Sequence, residues 1–461
     1  MKCRGRSLQI GKGDDVTTNE TLRAYIDSLR IVDTHEHLQL ESDWLKLEED
    51  VLAQWLTHYF PYDMVSAGLR AQVYEGPVKD SSKPLAKRWK MVERYWDAAR
   101  NTGYGRALDI AARDLYGVPR VDGRTIQELN AKFLEARKAA AAGKSHYKYV
   151  LKEKSRIDVS VTYLSGSRPV PKKDRSFFRN VSAMDLYLVP ANGLEIEKVG
   201  SETGMRIHSL DDWAAAAQKR VEADFAAGAV TLKSALAYER PIYYPRTTYA
   251  DAEREFNRIF GTPPDAGTLA GESRRVVENH MFHRIMAYAD RKGLPCQIHT
   301  GIQAGNGNVL SNSNPELLVN LFLEYSNVTF DIFHIAYPWW HVLSALAKNF
   351  RNVNIDMCWA HIISPEASVR ALIEYLDSVP ANKISAFGGD YAFVDGVYGH
   401  QFIARENVTR ALTAKVADGV FDVDRAKEIA RWLFIDNPRR IFRLDAENTR
   451  PARSVRAQSL N

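Results

Sequence analysis

The sequence predicts an α/β protein that folds as a (β/α)8 TIM-like barrel with a helical insertion after its first strand. From residue 229 onward, five β-rich runs alternate with segments whose apolar residues recur every three or four positions. This alternation is typical of βαβ units and a parallel sheet. Three earlier β-rich runs raise the number to eight, the strand number of a (β/α)8 barrel. An open, doubly wound sheet is the alternative arrangement of the same elements.

The eight predicted strands are short runs separated by helical or loop segments. In chain order they are LRIVDTHEHL, RIDVSVTYL, AMDLYLVP, AVTLKSALAY, LPCQIHTG, VTFDIFHIAY, NVNIDMCWAH and KISAFGGDYA. The predicted helices between the later strands are SLDDWAAAAQKRVEADFAAG, SRRVVENHMFHRIMAYADRKG, NPELLVNLFLEYS and PEASVRALIEYLDSV. Their apolar residues fall on one helical face, as expected for helices that cover a sheet.

Residues 41–150 do not follow the alternation. They are rich in aromatic residues and helix signals, and we interpret them as a helical insertion that caps one end of the barrel. The predicted organisation is therefore an N-terminal segment (1–28), a barrel (29–443) that contains the insertion, and a C-terminal tail (444–461). We expect the tail to be poorly ordered.

Composition and charge exclude several classes of protein. The chain has 461 residues, 45% hydrophobic and 26% charged, which is enough for a sizeable core. Its net charge of +5 is small and its basic residues are interleaved with acids, so nucleic acid is not an expected partner. The N-terminus lacks the apolar stretch of a signal peptide, and no long uncharged apolar run follows. We therefore expect a soluble, cytoplasmic protein with no membrane partner.

The three cysteines, Cys3, Cys296 and Cys358, are too few and too scattered for a disulfide framework or a cysteine-based zinc site. Cys296 and Cys358 lie in apolar runs. We expect these two to be buried free thiols.

Five chemically versatile residues fall near the C-terminal ends of predicted strands. His35 and His37, two positions apart on the first strand, project to the same side. His299, His334 and Asp390 end the fifth, sixth and eighth strands. A lone histidine on a strand is more often a packing residue than a ligand. In a barrel, however, these strand ends surround the mouth that holds the active site, and the coincidence favours a metal site.

The residue types indicate a divalent metal ion and hydrolytic chemistry. Imidazole nitrogens with one carboxylate suit zinc, the ion we expect, and also manganese, iron or nickel. An open coordination position lowers the pKa of a bound water to about 7, which makes hydroxide available at neutral pH. The expected partner is a small-molecule substrate.

Four motifs together resemble a known family. VDTHEHL, QIHTG, FHIAYPWW and FGGDYA, in this order, resemble the amidohydrolase superfamily, and most of all its branch of amidohydrolase-related metal-dependent hydrolases. The resemblance runs from about residue 29 to 443 and ends in IDNPRRIF. It implies a metal-dependent hydrolase that acts on an amide, lactone or ester, with a carboxylate-bearing substrate as one option.

The resemblance also implies roles for individual residues. His35, His37 and His299 match the family's metal ligands, and Asp390 matches an aspartate that binds metal and transfers a proton. His334 matches a histidine that binds a second metal in binuclear members. In mononuclear members it polarises the substrate or acts as an acid or base, and the sequence leaves both roles open.

Lys233, near the end of the fourth strand, has three open interpretations. Binuclear members that resemble this chain carry a carboxylated lysine there, which bridges two metals. The alternatives are a cation that binds a substrate carboxylate and a lysine paired with a nearby acid, because an unpaired buried ammonium is unfavourable.

Further residues near the predicted mouth are candidates for substrate binding. The full set is Lys233, Tyr238, Arg240, Trp359, His361 and Tyr391. Arg240 is suited to bind a carboxylate bidentately, and for the aromatic residues packing is the competing role. His58 and the other histidines on helices and loops have no partner pattern, and we interpret them as surface or packing residues.

Three alternatives to a hydrolase stay open at this level. The resemblance extends to metal-dependent non-oxidative decarboxylases and to uronate isomerases, which share the barrel. A non-catalytic binding module is disfavoured because every candidate ligand is present. The resemblance also allows a homo-oligomer, although no interface can be identified from the sequence.

Overall fold

The computed structural model describes residues 12–164, 168–260 and 269–445. The predictions for Cys3, for the start of the N-terminal segment and for the tail beyond residue 445 lie outside these ranges. Cys296 and Cys358 are both free and buried, as predicted. None of the helices in the described ranges combines the length and the apolar character needed to cross a bilayer.

Eight parallel strands form the centre of the molecule, and each pairs with the next in chain order. They are β1 Ile31–Glu36, β2 Ile157–Thr162, β3 Phe178–Ala183, β4 Ala229–Ser234, β5 Pro295–Ile298, β6 Thr329–Ile332, β7 Val353–Asp356 and β8 Ile384–Ser385. The Thr34 amide donates to the Phe387 carbonyl at 3.0 Å, and the Asp390 amide donates to the His35 carbonyl at 2.8 Å. These bonds join β1 to the segment after β8. The barrel prediction is confirmed, and an open sheet is excluded.

The third strand is displaced from its predicted position. The run AMDLYLVP was predicted, but β3 is Phe178–Ala183, and Met184–Tyr187 forms a 3-10 turn after it. The strand contains Asn180 and Ser182, which are polar yet buried. The Asn180 side chain accepts from the Val170 amide at 2.9 Å, and the Ser182 hydroxyl donates to the Asp224 carboxylate at 2.6 Å. Polar residues satisfied in this way remove the apolar pattern on which the prediction depends.

Helices cover the outside of the barrel, and buried apolar side chains of both layers form one large core. An N-terminal helix precedes β1, and the remaining helices outside the insertion follow β3 to β8. They are α1 Lys12–Ser28, α9 Gly193–Thr203, α10 Leu210–Ala226, α11 Tyr249–Phe260, α12 Gly271–Lys292, α13 Val319–Glu324, α14 Trp340–Asn349, α15 Ala360–Ile363, α16 Pro365–Ser378, α17 Val394–Ala417, α18 Val423–Arg431 and α19 Asn437–Ile441. Helix α1 packs against α17 and α18.

Between β1 and β2 the chain is helical. Its helices are α2 Glu41–Trp44, α3 Val51–Trp55, α4 Phe60–Ser66, α5 Ala71–Val73, α6 Leu85–Ala99, α7 Gly103–Tyr116 and α8 Ile126–Ala141, with π-helical turns at Tyr74–Val78 and Lys148–Lys154. This part is anchored to Asp395, at the start of α17. The Trp55 indole (3.0 Å) and the Tyr116 hydroxyl (2.8 Å) donate to one carboxylate oxygen, and His146 Nε2 lies 2.8 Å from the other. The insertion is therefore fixed to the segment that follows Asp390.

Candidate metal centre

The C-terminal ends of the strands bring the five predicted ligands together. Asp390 Oδ1 lies 3.2 Å from His37 Nε2 and 3.8 Å from His35 Nε2. Its other oxygen, Oδ2, lies 3.9 Å from His334 Nε2. His334 Nε2 in turn lies 3.1 Å from His299 Nδ1. One carboxylate therefore faces imidazole nitrogens on two sides.

The hydrogen bonds around His35 decide which of its nitrogens carries the proton. The Gln297 amide nitrogen donates to the Thr34 carbonyl at 2.9 Å and to the Asp331 carboxylate at 3.2 Å. The Gln297 oxygen is therefore the acceptor for His35 Nδ1, at 3.2 Å. His35 Nε2 is left without a proton, and it is buried without a hydrogen-bond partner among the described residues. A hydrogen bond from one ring nitrogen to a protein oxygen, like that from Nδ1 to Gln297, is typical of a histidine whose other nitrogen binds metal.

His299 and His334 are oriented in the same way. His334 Nδ1 donates to the Cys358 carbonyl at 2.9 Å, and His299 Nε2 donates to the Ile302 carbonyl at 3.1 Å. The two remaining nitrogens, 3.1 Å apart, therefore both carry lone pairs. Two lone pairs at this distance repel each other unless a cation lies beside them. The donor set thus fits a bound metal ion on the geometry of the chain alone.

The protonation states agree with this assignment. Burial lowers the pKa of His35 and of His299 well below the usual value for histidine, and it lowers the pKa of His334 to about 4. All three are neutral at pH 7, the form that binds metal. Burial alone would raise the pKa of Asp390, but its hydrogen bond with His37 and the charge interactions with His37, His334 and His35 together hold that pKa well below the usual value. Asp390 is therefore a carboxylate.

Several residues of the site have a left-handed backbone. Asp390 has φ 56°, His334 φ 64°, Trp359 φ 60° and Tyr59 φ 60°. For residues other than glycine each such conformation costs about 1–3 kcal/mol, and it persists where surrounding contacts enforce it. Their presence together at one end of the barrel is typical of a functional site.

Two buried acids of β1 hold Asp390 in this conformation. Asp33 accepts from the Gly389 amide at 3.0 Å, and Glu36 accepts from the Tyr391 amide at 2.7 Å. A Cβ at position 389 would lie 1.8 Å from a Glu36 carboxylate oxygen, so only glycine fits there. The GGD sequence is therefore required by the close approach of β1.

A pocket of about 410 Å³ opens above the ligands. Six of the predicted site residues line it: His35, His37, Lys233, Tyr238, His299 and Asp390. Tyrosine and alanine side chains form much of the remaining wall, including Tyr163 and Ala183. Tyr238 packs its ring against His299, with the ring centroids 4.7 Å apart. The pocket is the size of a small-molecule site.

Lys233 is buried in the pocket wall, where its ammonium lies 3.5 Å from the centre of the Phe333 ring. Within the described part of the chain it forms no ion pair. Burial lowers its pKa, against the attraction of Asp390, Asp185 and Asp356. Its three interpretations therefore stay predictions.

The structure places Arg240 and His361 away from the pocket. Arg240 donates to Glu278 at 3.0 Å and to Asn279 at 2.7 Å, and α12 thus holds its charge away from the pocket. His361 is buried, with Nε2 2.8 Å from the Ala386 carbonyl. Neither residue lines the pocket. Their polar groups form hydrogen bonds with other parts of the barrel. Position in the sequence alone does not reveal these partners.

Trp359 and Tyr391 also lie outside the pocket lining and support it from behind. The Trp359 ring stacks on Tyr59 at 4.6 Å and meets His334 edge to face at 5.0 Å. Tyr391 packs edge to face against Tyr59 at 5.1 Å. These are packing contacts, which favour the competing role named for these aromatics, and a role in substrate binding stays a prediction.

Sequence reasoning missed two residues of the insertion. His58 was assigned to the surface or to packing, yet it lines the pocket and stacks on Tyr59, with ring centroids 3.8 Å apart. Tyr59 also lines the pocket, and its hydroxyl donates to Asp390 Oδ2 at 2.7 Å. No periodic signal marks this pair, because the fold of the insertion decides which of its aromatic residues reach the mouth.

Comparison with known proteins supplies the family. A family model described as amidohydrolase matches residues 207–444, more than half of the chain. Protein fluG of Emericella nidulans is 26% identical over 170 residues, which is 36% of this chain. The matched part spans only 19% of the length of that relative.

Solved structures show the same fold over nearly the whole chain. Uronate isomerase from Thermotoga maritima superposes with a TM-score of 0.73 at 15% identity, covering 92% of this chain and 97% of that one. Glucuronate isomerase from Caulobacter crescentus gives 0.71 at 16% identity and covers 95% of both chains. Membership of the family implies a divalent metal ion, and the donor set described above fits one. The chain belongs to the amidohydrolase family and is an enzyme of that superfamily.

Proposed function

We propose that this protein is a metal-dependent hydrolase that acts on the amide, lactone or ester of a small, carboxylate-bearing molecule. The observation that carries the proposal is that the unprotonated Nε2 of His35 and the Nε2 of His37 face Asp390 Oδ1, at 3.8 and 3.2 Å. With His299, these residues would hold one divalent ion, for which zinc is the first candidate. Such an ion supplies Lewis-acid activation of water and of a carbonyl at neutral pH.

Asp390 is suited to accept the proton of the attacking water. It is ionised, and its Oδ2 is held by the Tyr59 hydroxyl at 2.7 Å. Oδ1 points towards His35 and His37, where the reaction would take place. A positioned carboxylate of this kind contributes about 10²–10⁴ to the rate as a general base.

His334 is better suited to bind a cation than to polarise a carbonyl. Polarisation by hydrogen bonding needs a proton on Nε2, but Nδ1 carries the proton of the neutral ring and donates it to the Cys358 carbonyl. The sequence left two roles open for His334, metal binding and action on the substrate. This contact supports metal binding.

Lys233 is the group we assign to a substrate carboxylate. It is the one lysine or arginine among the described residues that line the pocket. Its ammonium forms no ion pair in the described ranges, so a bound carboxylate would provide a direct partner. The substrate would then place its carboxylate at Lys233 and its scissile carbonyl near Asp390.

The reaction type can be tested in ¹⁸O-labelled water with a panel of amides, lactones and esters that carry a carboxylate. Hydrolysis predicts one labelled oxygen in the new carboxylate and no CO2. Release of CO2 from an aromatic or unsaturated acid in the same assay would instead show a decarboxylase.

The second candidate is isomerisation of a uronate. It is favoured by the structural likeness to two uronate-type isomerases over more than nine-tenths of this chain. Incubation with hexuronates, followed by NMR of the product, distinguishes it, because isomerisation converts an aldehyde into a ketone without incorporating solvent oxygen into a carboxylate.

A further inference from the structure

A second pocket, of about 280 Å³, lies at the opposite end of the barrel from the candidate metal centre. It is bordered by the first residues of β3 and β4 and by the turn after α19. Three arginines line it, Arg175, Arg179 and Arg443, together with Asn180 and several apolar side chains. None of its described lining residues is acidic. The pocket is therefore cationic, and it shares no lining residue with the pocket above the metal ligands.

None of the three arginines forms an ion pair within the described ranges. Arg175 donates to the Ala227 carbonyl at 2.7 Å, and Arg443 donates to the Gly293 carbonyl. Arg179 also donates to backbone carbonyls. A guanidinium has five N–H donors, so each arginine keeps donors for a further partner. Carbonyl oxygens supply no negative charge, and three positive charges thus surround one small pocket without a counter-charge from the described residues.

Asn180 adds a buried donor to the pocket. Its side chain is only 3% exposed, and its amide oxygen accepts from the Val170 amide at 2.9 Å. This bond fixes which end of the side-chain amide is the nitrogen. The two N–H groups of Nδ2 have no hydrogen-bond partner in the part of the chain that the structure describes. A buried donor without a partner is unfavourable, which indicates that an acceptor binds in the pocket.

Arg443 occupies a backbone position that usually holds glycine. It follows α19 with φ 52°, and the Leu444 amide donates to the Arg439 carbonyl at 3.0 Å, which closes the end of the helix. Helices that end in this way commonly have glycine there, because a left-handed backbone is unfavourable for a residue with a Cβ. An arginine in this position is explained if its guanidinium binds a ligand.

We propose that this pocket binds a phosphate group, either free or in a small monoester. A phosphate monoester carries a charge of about −1.5 to −2 at pH 7 and three strong acceptor oxygens, which match three guanidiniums and a side-chain amide. The volume lies just below the usual range of about 300–1,000 Å³ for small-molecule sites, which restricts the ligand to a small one. Phe225 and Val230, which also line the pocket, contact the body of a monoester. The proposal does not depend on the proposed hydrolase activity.

The test is isothermal titration calorimetry of the full chain with inorganic phosphate and with phenyl phosphate. The ionic strength is held constant, because salt screens these charges. We expect one bound anion per chain. A lower Kd for phenyl phosphate identifies a monoester as the ligand, and equal Kd values identify free phosphate.

Two variants assign the binding to this pocket. Arg179→Met should weaken it by about 10–100-fold, the effect expected when a hydrogen bond to a charged group is lost. Asn180→Asp is nearly isosteric and keeps the acceptor for the Val170 amide. Its new carboxylate supplies the counter-charge, so we expect phosphate binding to be lost and Tm to be kept or raised. This second variant gives the answer if Arg179→Met does not fold.

Two controls should retain binding. Arg351→Met removes an exposed arginine that donates to the Ser326 carbonyl at 3.3 Å and does not line this pocket. Lys233→Met removes the cation of the pocket above the metal ligands.

Wild-type protein that binds neither compound at millimolar concentrations would overturn the proposal. Binding that is unchanged in both Arg179→Met and Asn180→Asp would overturn the assignment to this pocket. Binding that is lost in Lys233→Met and kept in Asn180→Asp would place the anion in the other pocket, and it too would overturn the proposal. Each of these results leaves the proposed function as it stands.

Discussion

The Tyr59 hydroxyl lies 2.7 Å from both Asp390 Oδ2 and the Asp390 carbonyl oxygen, and its one proton forms a bifurcated hydrogen bond to the two. This contact joins the insertion after β1 to the segment after β8, at a residue of the candidate metal centre. Tyr59 has a left-handed backbone and is stacked between His58 and Trp359, at 3.8 and 4.6 Å. The insertion therefore forms part of the site.

Replacing Tyr59 with phenylalanine removes this bond and keeps the ring. We expect kcat to fall and metal affinity to weaken about 10–100-fold, as is usual when an outer hydrogen bond to a ligand is lost. Steady-state kinetics and metal titration measure the two effects. Tyr375→Phe, at another fully buried tyrosine, is the control and should change neither. Unchanged metal affinity in Tyr59→Phe would contradict a positioning role.

Replacing Lys233 with methionine removes the proposed partner of the substrate carboxylate. We expect KM to rise about 100-fold for carboxylate-bearing substrates, since a hydrogen bond to a charged group is worth about 1.5–3 kcal/mol. Neutral analogues that share the scissile bond should keep their KM. Kinetics on the matched pair of substrates give the answer. An equal rise in KM with both substrates would favour the carboxylated-lysine interpretation instead.

Arg240 supports the barrel wall according to the structure. Its guanidinium is buried against Glu278 at 3.0 Å, so Arg240→Leu leaves a buried carboxylate poorly compensated. We expect a loss of about 3 kcal/mol in the free energy of unfolding, the size usual for breaking a buried pair, with KM unchanged. Urea unfolding measures this loss. Arg240→Leu combined with Glu278→Leu should recover part of it, and a raised KM in a stably folded Arg240→Leu would restore the carboxylate-clamp interpretation.

The burial of His361 makes the stability of the protein depend on pH. Burial lowers the pKa of His361 from the usual value of 6.5 to about 4, so the unfolded chain takes up the proton first as the pH falls. The native state is therefore destabilised between pH 6.5 and about 4, by up to about 3 kcal/mol for this one group. Above pH 6.5 the effect is absent. The free energy of unfolding, measured at a series of pH values, should fall more steeply in the wild type than in His361→Gln over this range. An equal pH dependence in the two proteins would contradict the lowered pKa of His361.

The sequence predicted most of the barrel because parallel strands buried on both faces leave continuous apolar runs. It failed at β3, where buried Asn180 and Ser182 are satisfied by hydrogen bonds and interrupt the pattern. The candidate ligands could be named because strand ends in a barrel share one mouth. His58 and Arg240 could not be placed in the same way. The position of His58 depends on how the insertion folds, and that of Arg240 depends on a partner in α12. No periodic pattern in the sequence marks either relationship.

The proposed metal centre can be tested by the metal content, from elemental mass spectrometry, of protein purified without added metal. The wild type, His35→Ala and Lys233→Ala are measured side by side. We expect bound divalent metal, reduced by His35→Ala and retained in Lys233→Ala. A lower metal content in Lys233→Ala would show a carboxylated lysine as ligand. Wild-type protein that holds no metal, even after incubation with zinc or manganese, would contradict a metal-dependent hydrolase and favour a binding module.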